Sequence, residues 1–325
     1  MALAKTASIY DLEIAWSPAA APRLPLPRTR DMLVRSQPEI VMAGKTTAWA
    51  AFPHASKTYD YTGDKLKTAW PGLHAGDCEP YPDVKRAAAL LKALAKPPKG
   101  MDAAKLAETL QEAWRAFHRG DFHDAYTLGD ALGPLGASVA GKAMGVHATY
   151  LLDDEAERLR RFQQIVDFSE KAAAALHDEA NTHYRRAFAL GRYSQGISIG
   201  KALTMGLAGK VRVALDKTLE LAPKHAEAHT ALAVFHAEVI SKVGAMIGGL
   251  TYGAKASAAD SHIKTALKLT PNSPIAHIEH ANVLILLHGA KQEDAAANEY
   301  EKASKLKPLD AMEKLDQEFA KEQLE

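Results

Sequence analysis

The spacing of apolar residues changes near residue 81. From Tyr81 onward, alanine and leucine recur three and four residues apart among lysine and glutamate, the period of an amphipathic helix. This pattern predicts helices over 83–96, 102–118, 121–132, 137–151, 153–176, 178–191, 208–221, 225–241, 256–269, 274–287, 291–305 and 310–323. The breaks fall at Pro97-Pro98, Gly120-Asp121, Gly133-Pro134, Pro223, Pro271-Asn272 and Pro308, residues that end helices or form turns. No stretch alternates as a half-buried strand would, so the expected class is all-α.

Residues 1–80 follow another pattern. Pro18, Pro22, Pro25 and Pro27 cluster, and Pro38, Pro53, Pro71 and Pro80 follow, which disfavours long helices. Trp16, Trp49 and Trp70 lie in the same segment, and disordered tails are poor in such residues. The expectation is an irregular arm over 1–80, packed on a helical repeat domain over 81–325. Short helical turns are the most this arm should hold, with 63–70 the best candidate.

Three helix ends in the second region read alike: TLELAPKHAEAH, ALKLTPNSPIAH and ASKLKPLDAMEK. Each closes on Leu-x-Pro and opens a new helix. Upstream of Pro271, Ala259, Ile263 and Ala266 have the spacing of Ala296, Tyr300 and Ala303 upstream of Pro308. Small residues at that spacing let two helices approach closely. The helix–Gly-Asp-aromatic turn of AWRAFHRGDFHDAY (113–126) and the YRRAFALGRYSQ segment (184–195) add two related turns.

This pattern resembles the tetratricopeptide repeat over roughly 100–325, although 48 residues separate Pro223 from Pro271 and 37 separate Pro271 from Pro308, against a standard period of about 34. More narrowly, KALTMGLAGKVRVALDKTLELAPKHAEAHTALAVFHAEV followed by KASAADSHIKTALKLTP resembles the regulator of microtubule dynamics family, as a bacterial-type relative. The resemblance implies a right-handed α-solenoid of degenerate helix pairs, with a long insertion in one repeat. Here that insertion is the glycine-rich KVGAMIGGLTYGAKAS, about residues 242–256. Its Val243, Met246, Ile247, Leu250 and Tyr252 should be buried against something.

Composition narrows the function classes. Forty Lys+Arg against 39 Asp+Glu give a net charge of +1, which argues against nucleic acid as the partner. No apolar run reaches the roughly 18 residues of a membrane span. Cys78 is the single cysteine, which fits a reducing compartment. With Asp11 and Glu13 too early for a secretory signal, the expected location is cytoplasmic.

The motifs that suggest chemistry are incomplete. Gly248 and Gly253 have phosphate-loop spacing, but Ala254 stands where lysine is required. Gly136, Gly141 and Lys142 come nearer, but Ala143 replaces the hydroxyl residue that would hold magnesium. Small residues at close helix contacts explain both. His225 and His229, and likewise His277 and His280, have helical spacing that can bind zinc. Aligning the repeats puts His229 opposite His277 at a core position, so hydrogen-bonded structural histidines are expected, with no metal and no cofactor. HAGDCEPYPD (74–83) reads as a capping turn with Cys78 packed inward. DDEAERLRRF (153–162) reads as a solvated helix face with Asp154–Arg158 and Glu157–Arg161 pairs.

The expectation for function is a non-catalytic scaffold that holds a protein or peptide partner on the concave face of the array. Repeat alignment nominates Arg185, Thr230, Val234, Glu238, Ile278 and Asn282 for that groove, with Arg185 pairing a partner carboxylate. The second reading is a small apolar ligand or lipid in a cavity between repeats.

Overall fold

The structure, a computed structural model, describes residues 49–325. The expectations for Trp16 and for the prolines before residue 49 lie outside the described residues. Among the described residues the chain is all-α, with no strand.

Five helices come first: α1 (Lys65–Leu73), α2 (Val84–Ala93), α3 (Ala103–Arg119), α4 (Phe122–Ala131) and α5 (Ala137–Tyr150). Then follow α6 (Glu155–Ala175), α7 (Ala180–Gln195), α8 (Ile199–Thr204), α9 (Leu207–Leu221) and α10 (Ala226–Val243). The last are α11 (Ala245–Tyr252), α12 (Ala256–Leu269), α13 (Pro274–His288), α14 (Glu293–Lys305) and α15 (Ala311–Glu322). Asp83, Asp102, Asp154 and Asp310 each accept a hydrogen bond from the backbone N–H three residues on, and so start α2, α3, α6 and α15. Each such cap contributes about 1 kcal/mol.

One turn recurs three times. Leu176, Ala222 and Thr270 end α6, α9 and α12 with nearly the same backbone angles, φ −133°, −136° and −134°. The next helix is then stapled back to the turn by the histidine at its fourth position. His183 Nε2 lies 2.9 Å from the His177 carbonyl oxygen, His229 Nε2 3.2 Å from that of Pro223, and His277 Nε2 2.9 Å from that of Pro271. Each of these helices (α7, α10 and α13) runs into a short connector and then into a second helix. The connectors are α8, α11 and a 3-10 turn over Gly289–Gln292. Ala259, Ile263 and Ala266 on α12 and Ala296, Tyr300 and Ala303 on α14 are buried, as their spacing predicts.

Successive helices pack on one another: α6 on α7, α7 on α9, α10 on α12, α13 on α14, and α14 on α15. The array then returns to its beginning. α15 packs against α3 as well as α13. Tyr61 Oη donates to the Leu309 carbonyl oxygen at 2.6 Å, and His118 Nδ1 lies 2.8 Å from Asp310 Oδ2. Ala311 and Leu315 join a core containing Leu66, Trp70, Trp114, Phe117 and Phe122. A second core gathers Phe162, Ile165, Leu190, Leu215, Leu232 and Phe235. Burying each such side chain contributes roughly 1.5–3 kcal/mol.

Residues 49–80 belong to this closure. Leu66 and Trp70 of α1 are buried in the first core, and Trp49 stacks over the Arg161 guanidinium, 4.5 Å from its centroid. α1 is longer than the turn expected from sequence, and Pro71 sits inside it. Arg161 is buried, so the 153–162 stretch is not wholly a solvated face. Its Glu157–Arg161 pair forms at 2.9 Å, while Asp154 caps α6.

Candidate functional site

Two features stand out, one inside the array and one outside. The inner feature starts at the loop after α1. Asp77 is 0% exposed. Its Oδ2 accepts from Lys142 Nζ of α5 at 2.6 Å and from the Arg185 guanidinium of α7 at 2.7 Å. Its Oδ1 lies 2.8 Å from His74 Nδ1. Glu227, at the start of α10, meets the same cations, 3.1 Å from Lys142 and 3.5 Å from Arg185. Asn181 donates to the Asp77 carbonyl oxygen at 2.9 Å and to Glu79 Oε2 at 2.7 Å, and Ser138 donates to that same Glu79 oxygen. His225 Nδ1 accepts from the Ala228 N–H, so its Nε2 donates to Asn181 Oδ1 at 3.0 Å.

The electrostatics follow from this geometry. Burial alone would raise the Asp77 carboxyl, but Lys142, His74 and Arg185 outweigh it and hold it well below the ordinary carboxylate range. Burial, with Asp77 adding to it, pushes Glu79 up to about 7. Burial keeps His74 and His225 neutral, each lowered to about 4. Farther along the interior, Tyr150 donates to Asp316 of α15, and burial raises that carboxyl to about 7. Lys142 and Arg185 are buried along with Asp77, so the cluster ties four segments of chain together.

The residues nominated for a partner groove lie in this interior. Arg185, Thr230, Val234, Ile278 and Asn282 are all buried. Arg185 pairs with Asp77 of its own chain in place of a partner carboxylate. Asn282 Oδ1 accepts from Tyr300 Oη at 2.6 Å, and half-buried Glu238 accepts from Gln195 at 2.7 Å. The groove assignment is corrected for a simple reason. Other parts of the same chain cover these side chains, Asp77 meeting Arg185 and Tyr300 meeting Asn282, so they are not open to a partner.

The phosphate-loop look-alikes are packing devices. A Cβ on Gly136 would sit 2.1 Å from the Gly129 carbonyl oxygen, and Gly141 lies against Arg185. Cys78 does not pack inward as expected. The residue is exposed, but its thiol leans on the Lys224 carbonyl oxygen at 3.4 Å, and this partial burial, with Asp77 and Glu227, raises its pKa and weakens it as a nucleophile. A cavity of about 30 Å³ lies beside Glu79, Ser138, Asn181 and Trp114. That space suits a water-sized group.

The outer feature is α11. The insertion was expected to bury its apolar side chains, and the structure differs. Val243 and Tyr252 are half-buried, and Tyr252 packs on the second core. Met246, Ile247 and Leu250 are 75%, 53% and 83% exposed. They share one face, at i, i+1 and i+4. The opposite face is held by Gly248, where a Cβ would lie 3.1 Å from Val239 Cγ1. Gly244 (φ 82°) and Gly253 (φ 66°) set both ends of the helix. With glycine on its inner face, the helix packs too closely on α10 to turn its large side chains inward.

The network was hard to find from sequence because its members are scattered over 150 positions and two had been given other roles. The available signal was Lys142, a lone charge in the run ASVAGKAMGV. An isolated cation on an otherwise apolar helix needs a buried partner. No family model matches the chain, and no curated protein is detectably similar to it.

Proposed function

We propose that the chain is a non-catalytic interaction scaffold, built as a right-handed array of tetratricopeptide-like helix pairs and distantly akin to the regulator of microtubule dynamics family. The thrice-repeated turn and its histidine staple support the repeat reading. The partner is a protein, and it docks on α11 on the outside of the array. The observation that carries this is the exposed triad Met246, Ile247 and Leu250 on a helix fixed at both ends. An exposed apolar group of this kind marks an interaction surface.

Charge indicates the partner's chemistry. Lys255 is exposed at one end of α11, and Lys242, which pairs with Glu238 at 3.8 Å, is exposed at the other; no acidic residue occurs from 239 to 259. The complementary surface is an apolar groove with an acidic rim, whose capture weakens as salt rises. The sealed interior and the raised Cys78 thiol support a role without catalysis. The free Cys78 suits a reducing compartment, and we place the protein in the cytoplasm.

The test is crosslinking capture from the native organism with the full chain and with a Met246→Ser/Ile247→Ser/Leu250→Ser variant. The variant should lose a partner that the parent recovers, and that partner's release should follow salt. Equal recovery by both proteins would overturn the assignment to α11.

A further inference from the structure

α10 and α12 face each other across two imidazoles. His229 and His262, both half-buried, place their Nδ1 atoms 2.8 Å apart with the rings inclined by 36°. Two ring nitrogens this close need a proton or a cation between them. The tautomer of His229 follows from its other contact. Its Nε2 meets the Pro223 carbonyl oxygen, which only accepts, so Nε2 carries the proton and Nδ1 presents a lone pair. A backbone carbonyl on the far nitrogen is also what orients the imidazole in metal-ligating histidines.

The neighbouring repeat shows what differs here. His277 makes the same Nε2 contact, to Pro271, but its Nδ1 faces a carboxylate, Glu299 Oε2, at 2.6 Å. Glu299 is the seventh residue of α14, as His262 is of α12. Exchanging carboxylate for imidazole turns an acid–base contact into a pair of nitrogen donors.

We propose that His229 and His262 form a two-nitrogen site for a divalent transition-metal ion, with Cu(II) preferred. The ligand type supports that choice, since paired imidazoles bind Cu(II) more tightly than the other divalent first-row ions. Without metal, His262 Nδ1–H donates to His229. On binding, that proton moves to His262 Nε2 and both Nδ1 lone pairs turn to the ion. Arg212 lies close enough to act on the His262 ring electrostatically. The Arg212 charge is offset by Asp216, both of whose oxygens lie 2.8 Å from its Nε. His236 stacks beside His262 but accepts the Lys255 N–H on its Nδ1, so it is a wall of the site and not a ligand. No group of three ligating side chains forms among the described residues, so the remaining positions on the ion face water or an exogenous ligand.

The test is calorimetric titration of the untagged full chain with CuCl₂ and with ZnCl₂, alongside Cu(II) electron paramagnetic resonance. The parent should bind one Cu(II) that His262→Ala loses and His277→Ala keeps, with nitrogen coupling from two imidazoles, and Zn(II) should bind more weakly. If His262→Ala does not fold, His262→Gln preserves a hydrogen bond to His229 and serves instead. Equal Cu(II) stoichiometry and affinity in parent and His262 variants, or an unchanged nitrogen count, would overturn the site.

Discussion

The interior around Asp77 and the outer helix α11 invert the usual arrangement. The interior holds Asp77, Lys142, Arg185 and Glu227 in mutual contact, away from water. The outside carries Met246, Ile247 and Leu250 in open solvent. Each departs from the ordinary partition of polar and apolar residues, but the two are resolved differently. The interior charges find their partners within the chain, and the outer side chains do not. Buried ion pairs contribute little net stability relative to an apolar core. They do make the fold depend on every member being present, which suits a structural clamp. α11 can change without cost to the fold, which suits a contact with something else.

The largest effect should come from breaking the clamp. Asp77→Ala leaves Lys142 and Arg185 short of a counter-charge and should cost about 3–5 kcal/mol in denaturant unfolding. Combining Asp77→Asn with Lys142→Met should recover part of that loss. A double variant no more stable than Asp77→Asn alone would show that the pair does not act as a unit.

The next effect is a pH dependence confined to the interior. Glu79 and Asp316 are raised to about 7, and Glu313 to about 8. The folded state therefore keeps protons that the unfolded chain releases from about pH 4, and these groups make stability fall as pH rises from about 4 to 7–8. His74 and His225, lowered to about 4 from 6.5, act in the opposite sense and make stability rise from about pH 4 to 6.5. Between about pH 4 and 6.5 the two sets oppose each other; above about 6.5 the carboxyls act alone, and melting temperature should fall toward about pH 8. Asp316→Asn should remove a falling contribution between about pH 4 and 7, of up to about 1.4 kcal/mol per pH unit. A pH profile unchanged over that range in the variant would remove Asp316 as a source.

The smallest effect should come from α11. The Met246→Ser/Ile247→Ser/Leu250→Ser variant should unfold within about 0.5 kcal/mol per site of the parent, because nothing in the chain covers those side chains. A loss of several kcal/mol would mean that α11 is part of the core and would erase the contrast.

Much of the helical framework was legible in the sequence. The 256–269 helix was bounded correctly from its periodicity, and the 242–256 insertion lies between the end of α10 at Val243 and the start of α12 at Ala256. That His229 and His277 occupy equivalent, hydrogen-bonded positions followed from aligning Pro223 with Pro271. Two short helices were missed, α8 and α11, because six or eight residues carry too little periodic signal. The interior was misread for another reason. Arg185 and Asn282 were nominated for an open groove, but both are covered within the chain, Arg185 by Asp77, 108 residues away, and Asn282 by Tyr300. The contact between Tyr61 and Leu309 spans 248 residues, and no local pattern encodes it.

That return has a consequence for how the chain can vary. An open stack of helix pairs tolerates the gain or loss of a unit, since each unit meets only its neighbours. Here the first and last segments share Trp70, Trp114, Ala311 and Leu315 in one core, so the number of units is fixed as the number of stones in an arch is fixed by its span. Deleting one helix pair would leave two unmatched ends. Variation is therefore confined to the short pieces between paired helices, and the longest of these is the one that carries the exposed triad.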